Sequence, residues 1–198
     1  MPEKLIPTPS QTVGPFFHLG MDRPAWADLT ADDPAMALGA ERIAIEGQVR
    51  DGDGAPVPDA VVEIWQANAA GRYNHPDDRR ADKPLDPHFR GFGRAATDAD
   101  GRFRFTTVKP GPVPGRGNAL QAPHIEVALF ARGLLAHLYT RIYFAGDPRN
   151  AGDPLLSSIE DESVRRTLVA AQPEPGNPAL YRFDIVLQGD DETAFLDV

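Results

Sequence analysis

The side chains whose types and spacing best suit chemistry are His124 and Glu126. Side chains along a strand repeat every two residues, so His-Ile-Glu would turn an imidazole and a carboxylate to one face, where both could bind a metal ion. With His137 they would make a set of two imidazoles and one carboxylate, which suits ferrous iron with positions left open for dioxygen. A structural reading competes with this and weighs more. His-x-Glu is common by chance, and a buried, hydrogen-bonded histidine beside a polar interface residue accounts for it. A hairpin joining 124–131 to 137–144 also does not bring His137 round to the same point. Further ring and charged groups, Tyr73, His75, Arg79, Arg80 and His88, crowd into 68–90, and a proline-rich stretch, 109–123, leads into His124. Loops of more than about a dozen residues inside a compact domain are more often functional than idle. The acidic groups Asp77-Asp78 and Asp190-Asp191-Glu192 could exchange protons, but exposed loop acids are usually solvated charge.

Much chemistry is absent. The chain has no cysteine, which removes disulfides, thiolate metal sites and cysteine nucleophiles together and leaves His, Tyr and carboxylates as the candidate ligands. Nucleophile elbow, phosphate-binding loop and dinucleotide fingerprint are all missing. With 29 acidic and 20 basic residues the formal charge is −9, and no Lys/Arg-rich run interrupts the chain, so neither nucleic acid nor an anionic membrane is an expected partner. No apolar segment has signal-peptide or membrane-spanning character, and a cytoplasmic location is expected.

The elements that must position these groups read as strands. Arg42 to Arg50 alternates Ile43, Ile45, Gly47 and Val49 against polar neighbours, and Asp51-Gly52-Asp53-Gly54 offers turn residues, so Ala60 to Gln66 is expected as its hairpin partner. Gly91 to Thr97 and Arg102 to Val108 form a second expected hairpin, and 124–131 with 137–144 a third. Leu180 to Leu187 is a last strand. One helix is expected over 161–171, with a short helical turn near 32–38. Residues 1–40, rich in proline and without periodicity, read as an arm that packs on a partner, and 41–198 as one all-β domain, a β-sandwich with two long excursions, one over 68–90 and one over 109–123.

In order along nearly the whole chain, Thr8-Pro9-Ser10-Gln11-Thr12-Val13-Gly14-Pro15-Phe16-Phe17, Glu63-Ile64-Trp65-Gln66-Ala67-Asn68 with Gly71-Arg72-Tyr73, Asp98 to Phe105 with Val108-Lys109-Pro110-Gly111, and Tyr181-Arg182-Phe183-Asp184-Ile185 resemble the intradiol dioxygenases. The resemblance implies a prealbumin-like sandwich, ring cleavage of an anionic dihydroxybenzoate with O2, and a ferric ion held by two tyrosines and two histidines. It places Arg80 and Val113 where the tyrosines would be, and His124 and Glu126 on the histidine pair, so only His124 of the four ligands is present. It therefore implies no metal and no catalytic residue in this chain alone. Fe(III) would be bound by a homologous β subunit, with αβ units gathered into a higher hetero-oligomer. It further implies that Thr12, Gly14, Pro15, Phe16 and Arg132 line the substrate cavity at that interface. An arginine at position 80 would repel a cation and pair with Glu126, sealing the degenerate site. Two other readings stand beside this one: a self-sufficient Fe(II) oxygenase built on His124, Glu126 and His137, and a non-enzymatic prealbumin-like binding or structural domain.

Overall fold

A computed structural model describes residues 6–32, 39–115, 117, 119–171, 177 and 179–197. The helical turn expected over 32–38 falls, beyond Asp32, outside them. The described chain is mostly strand: β1 (Arg42–Arg50), β2 (Val61–Trp65), β3 (Phe92–Ala96), β4 (Arg102–Val108), β5 (Val113–Pro114), β6 (Leu120–Gln121), β7 (His124–Phe130), β8 (Leu138–Phe144), β9 (Val169–Ala170), β10 (Leu180–Arg182) and β11 (Ile185–Val186). Short helices α1 (Phe17–Met21), α2 (Pro154–Ser158) and α3 (Glu162–Arg166) sit between them.

Two sheets make the sandwich. In one, β1 pairs with antiparallel β4 and with parallel β10 and β11; the other runs β3-β2-β7-β8-β9. The expected β7–β8 hairpin is present, antiparallel and with Glu126 opposite Arg141. The other two expected hairpins are not. β1 and β2 lie in different sheets, as do β3 and β4: β2 pairs with β3 and β7, while β4 pairs with β1. Alternation specifies which face of a strand is buried, and the turns at 51–60 and 97–101 serve equally well to carry the chain across from one sheet to the other. The Thr97 hydroxyl fixes one crossing by accepting from Ala60 N–H and donating to the Val57 carbonyl.

Between the sheets Ile43, Ile45, Phe103, Phe105 and Ile185 face Val62, Ile64, Ile125, Val127, Leu129, Ile142 and Phe144, all essentially without solvent exposure. Each such side chain contributes about 1.5–3 kcal/mol by leaving water. Buried Gln66 links the layers, donating to the Val108 carbonyl and accepting from the Thr107 hydroxyl. The expected last strand is broken at Phe183-Asp184, where Phe183 N–H reaches the Glu46 carbonyl and the Asp184 carboxylate accepts from Gln48 N–H. The expected helix over 161–171 covers only Glu162–Arg166, capped by the Asp161 carboxylate. Leu168 is fully buried against Tyr143 and Leu156, and Val169–Ala170 add to β8 as a parallel strand, so tertiary burial ends the helix early.

Among the described residues of 1–40, those from 17 to 30 pack on the sandwich. Leu29 N–H bonds the Thr106 carbonyl, Leu29 and Thr30 are buried, and α1 meets β2 and β3. Residues 6–16 are the stretch left largely exposed.

Candidate functional site

The two excursions meet over the outer face of the second sheet and form an open pocket of about 810 Å³ lined by Trp65, Tyr73, His75, Asp77, Asp78, Arg79, Arg80, Val113 and Pro114. The Asn68 carboxamide holds the start of the first excursion, accepting from Ala70 and Arg72 N–H and donating to the Pro84 carbonyl. Tyr73 stacks on Trp65 with ring centroids 5.7 Å apart. Burial, then the nearby Glu126 carboxylate, pushes the Tyr73 phenol up to about 12, so it is neutral at physiological pH. Asp78 accepts from Tyr73 N–H at 2.8 Å and grips the Arg80 guanidinium through both carboxylate oxygens. That hydrogen bond from Arg80 holds the Asp78 carboxyl well below the usual carboxylate range.

His124, Glu126, Arg141 and Tyr143 share the outer face of β7 and β8, because their alternates, Ile125 and Ile142, point into the core. His124 is buried, with Nδ1 2.7 Å from the Ala122 carbonyl and Nε2 3.4 Å from Glu126 Oε1. The same Oε1 lies 2.7 Å from an Arg141 guanidinium nitrogen. Burial alone would raise the Glu126 pKa, but the adjoining His124 ring and the Arg141 charge outweigh it and hold the carboxyl low. Behind them the fully buried Asp153 carboxylate accepts from the Tyr143 hydroxyl and from Ala122, Leu155 and Leu156 N–H, fixing the start of β7. Burial first of all raises the Tyr143 phenol far above its ordinary value.

Glu126 is thus paired, but with Arg141 where Arg80 was expected; Arg80 is held by Asp78, two residues away. Arg141 was missed because its role depends on hairpin register. The observed register sets Leu138 opposite Leu129 and so puts Arg141 directly across from Glu126, a placement that alternation alone does not specify.

His137 lies at the other end of β8, where it stacks on Phe130 and its Nε2 is 2.7 Å from the Tyr139 hydroxyl. His124 opposes Tyr143, six residues further on, about 20 Å away at strand spacing. The His124/Glu126/His137 iron triad is therefore excluded by geometry.

The other predicted group gathers at that far end. Thr12 Oγ1 accepts from Gly133 N–H at 2.8 Å, tying the arm to the β7–β8 turn, and Arg132 pairs with Asp59 at 3.0 Å while remaining half exposed. Gly14 and Pro15 are exposed, Phe16 is 75% exposed, and Phe17 packs on Phe130.

The dioxygenase family model matches residues 13–189. The chain belongs to the intradiol dioxygenase family. It is 41% identical over 210 residues, all of both chains, to the protocatechuate 3,4-dioxygenase alpha chain of Pseudomonas putida. To the beta chain of the Burkholderia cepacia enzyme it is 46% identical over 159 residues, covering 77% of this chain and 67% of that one. Among solved structures, the dioxygenase domain of a dioxygenase and carbohydrate-binding fusion from Streptomyces sp. SirexAA-E superposes with a TM-score of 0.60 at 26% identity, covering 96% of this chain and all of that one.

This intradiol family is iron-dependent, and the residues present here do not fit a ferric ion. Arg80 brings a guanidinium already bound to Asp78, Val113 is a buried hydrocarbon, and Glu126 is neutralised by Arg141. Among the described residues no three His, Asp or Glu side chains gather in a way that could hold a metal ion.

Proposed function

We propose that this chain is the α subunit of a protocatechuate 3,4-dioxygenase. The enzyme adds both atoms of O2 to protocatechuate, opening the ring between its two hydroxyls to give 3-carboxy-cis,cis-muconate. The Fe(III) that activates the reaction is held by the homologous β subunit, and αβ units associate further in the cytoplasm. This chain contributes shape and charge. Its arm, with Thr12, Gly14, Pro15 and Phe16, and Arg132 on the adjoining turn, line the cavity of the partner, where an anionic ring needs a slot and a cation.

The observation that carries this reading is the separation of two groups along β7. The degenerate ligand positions lie at its start, and the exposed arm with Arg132 lies about 20 Å away at its end. Residues so far apart cannot serve one small molecule, so the arm group is suited to a site outside this chain. The test is expression of the chain alone and together with a homologous chain that has both tyrosines and both histidines. Iron content, the visible tyrosinate-to-iron band and oxygen uptake are expected only in the pair, and all three in the chain alone would overturn the assignment.

A further inference from the structure

The disagreement between the family's iron and this pocket has a specific form. His124 is 3% exposed, and its Nδ1 faces the Ala122 carbonyl at 2.7 Å. A carbonyl can only accept, so Nδ1 carries a proton and holds the ring with Nε2 aimed at Glu126. That is the arrangement in which a backbone carbonyl orients a metal-binding imidazole. Nε2 itself is buried and without a hydrogen-bond partner. Its 3.4 Å separation from Glu126 Oε1 matches the edge of a tetrahedron with metal–ligand bonds of about 2.0–2.1 Å. The pair has kept the bite of a metal chelate.

We propose that the Arg141 guanidinium is the built-in cation of this cluster, occupying the Glu126 oxygen that a metal ion would have to share with His124. Hairpin register sets Arg141 opposite Glu126, and its guanidinium lies 2.7 Å from the oxygen that faces His124 and 3.3 Å from the Tyr143 hydroxyl. Arg141 is itself largely buried, with 17% of its side chain exposed. A half-buried carboxylate next to a buried imidazole needs a positive neighbour, and a guanidinium provides one that is permanent and needs no loading. The chain can therefore fold and assemble without metal, while the residual donors stay closed to any ion. Losing ligands at positions 80 and 113 removes affinity; Arg141 removes access. This concerns the chain's own pocket and is independent of the substrate proposed above.

The test uses the untagged full chain with cobalt(II), whose visible absorption reports nitrogen and oxygen ligation. Wild type is expected to show neither a cobalt band nor a cobalt-dependent melting temperature. Arg141→Gln should melt several degrees lower, and cobalt should raise its melting temperature and produce the band. Arg141→Lys, which keeps the charge, should behave as wild type toward cobalt. The double variant Arg141→Gln/Glu126→Gln should recover much of the lost melting temperature with no metal and show no cobalt response. A cobalt-indifferent Arg141→Gln, or an equal response in wild type or in the double variant, overturns the proposal. If Arg141→Gln is insoluble, cobalt during expression or the added Glu126→Gln change should rescue it. Rescue by neither would make Arg141 a packing residue and sink the idea.

Discussion

Asp78 shows how a loop side chain can hold a whole excursion. Its carboxylate binds Tyr73 N–H and the Arg80 guanidinium together, joining residues 73 to 80 across the pocket mouth. The folded pKa is lowered by Arg80, so the stability it contributes is complete above the unfolded value of about 4 and drains away as pH falls toward the lower folded value. Asp78→Asn is therefore expected to cost about 1–2 kcal/mol at pH 7, measured by urea unfolding, with the deficit relative to wild type shrinking below about pH 4. A constant deficit from pH 7 to pH 2 would mean that the carboxylate charge is irrelevant. Arg132 differs because it is half exposed and its ion pair with Asp59 is worth at most about 1 kcal/mol to this chain. In the assembled enzyme Arg132→Ala should raise KM for the anionic substrate about tenfold with kcat little changed, a loss of about 1.4 kcal/mol of ground-state binding. An unchanged KM with weakened assembly would assign Arg132 to the interface alone. At this scale the sequence displayed His124 and Glu126 but concealed Arg141, since which residues face one another across a hairpin depends on a register that alternation leaves open.

Strands were legible and their partners were not. Every long strand was expected close to its observed place, and β7–β8 was correctly paired, yet β1 and β2 separate into different sheets because the chain arches between layers after Arg50. The fate of 180–187 was also hidden, because it depends on an atom that is missing. A Cβ on Gly47 would stand 1.8 Å from the Phe183 carbonyl oxygen, so the parallel pairing of β10 and β11 along β1 needs a bare backbone at that point. From alternation Gly47 counts merely as a weak inward position. Gly47→Ala is expected to destabilise the chain by more than about 3 kcal/mol, since two backbones must move apart inside the core. Its urea midpoint should fall accordingly, and a midpoint within error of wild type would show that the β1–β10–β11 contact is looser than described.

Across the whole molecule, apolar surface is unevenly distributed. The outer face of the β3-β2-β7-β8 sheet carries Trp65, Phe92, Phe130 and Tyr139 around a shallow hollow whose lining also includes Glu63 and the Glu126–Arg141 pair, and Trp26 stands over Phe92 with the Arg94 guanidinium above both rings. Beside it the arm exposes Phe16 and α1 exposes Leu19 at 75% and 64%. A chain of this charge would not keep such a face in water without reason, and contiguous apolar patches of this kind mark interaction sites. Under the proposed α/β assembly this face and the arm beside it are the surfaces expected to meet the partner. Phe16 is the sharpest probe, because it is too exposed to matter for this chain's own folding yet is suited to anchor in a neighbour. Phe16→Ala should leave the melting temperature of the isolated chain unchanged and weaken its association with the β chain tenfold or more, corresponding to about 1.4 kcal/mol or above. Titration calorimetry of the two purified chains, beside sedimentation of each alone, measures both quantities. Full-strength association by the Phe16→Ala chain would remove the arm from the interface and leave the aromatic sheet face as the surface that joins the subunits.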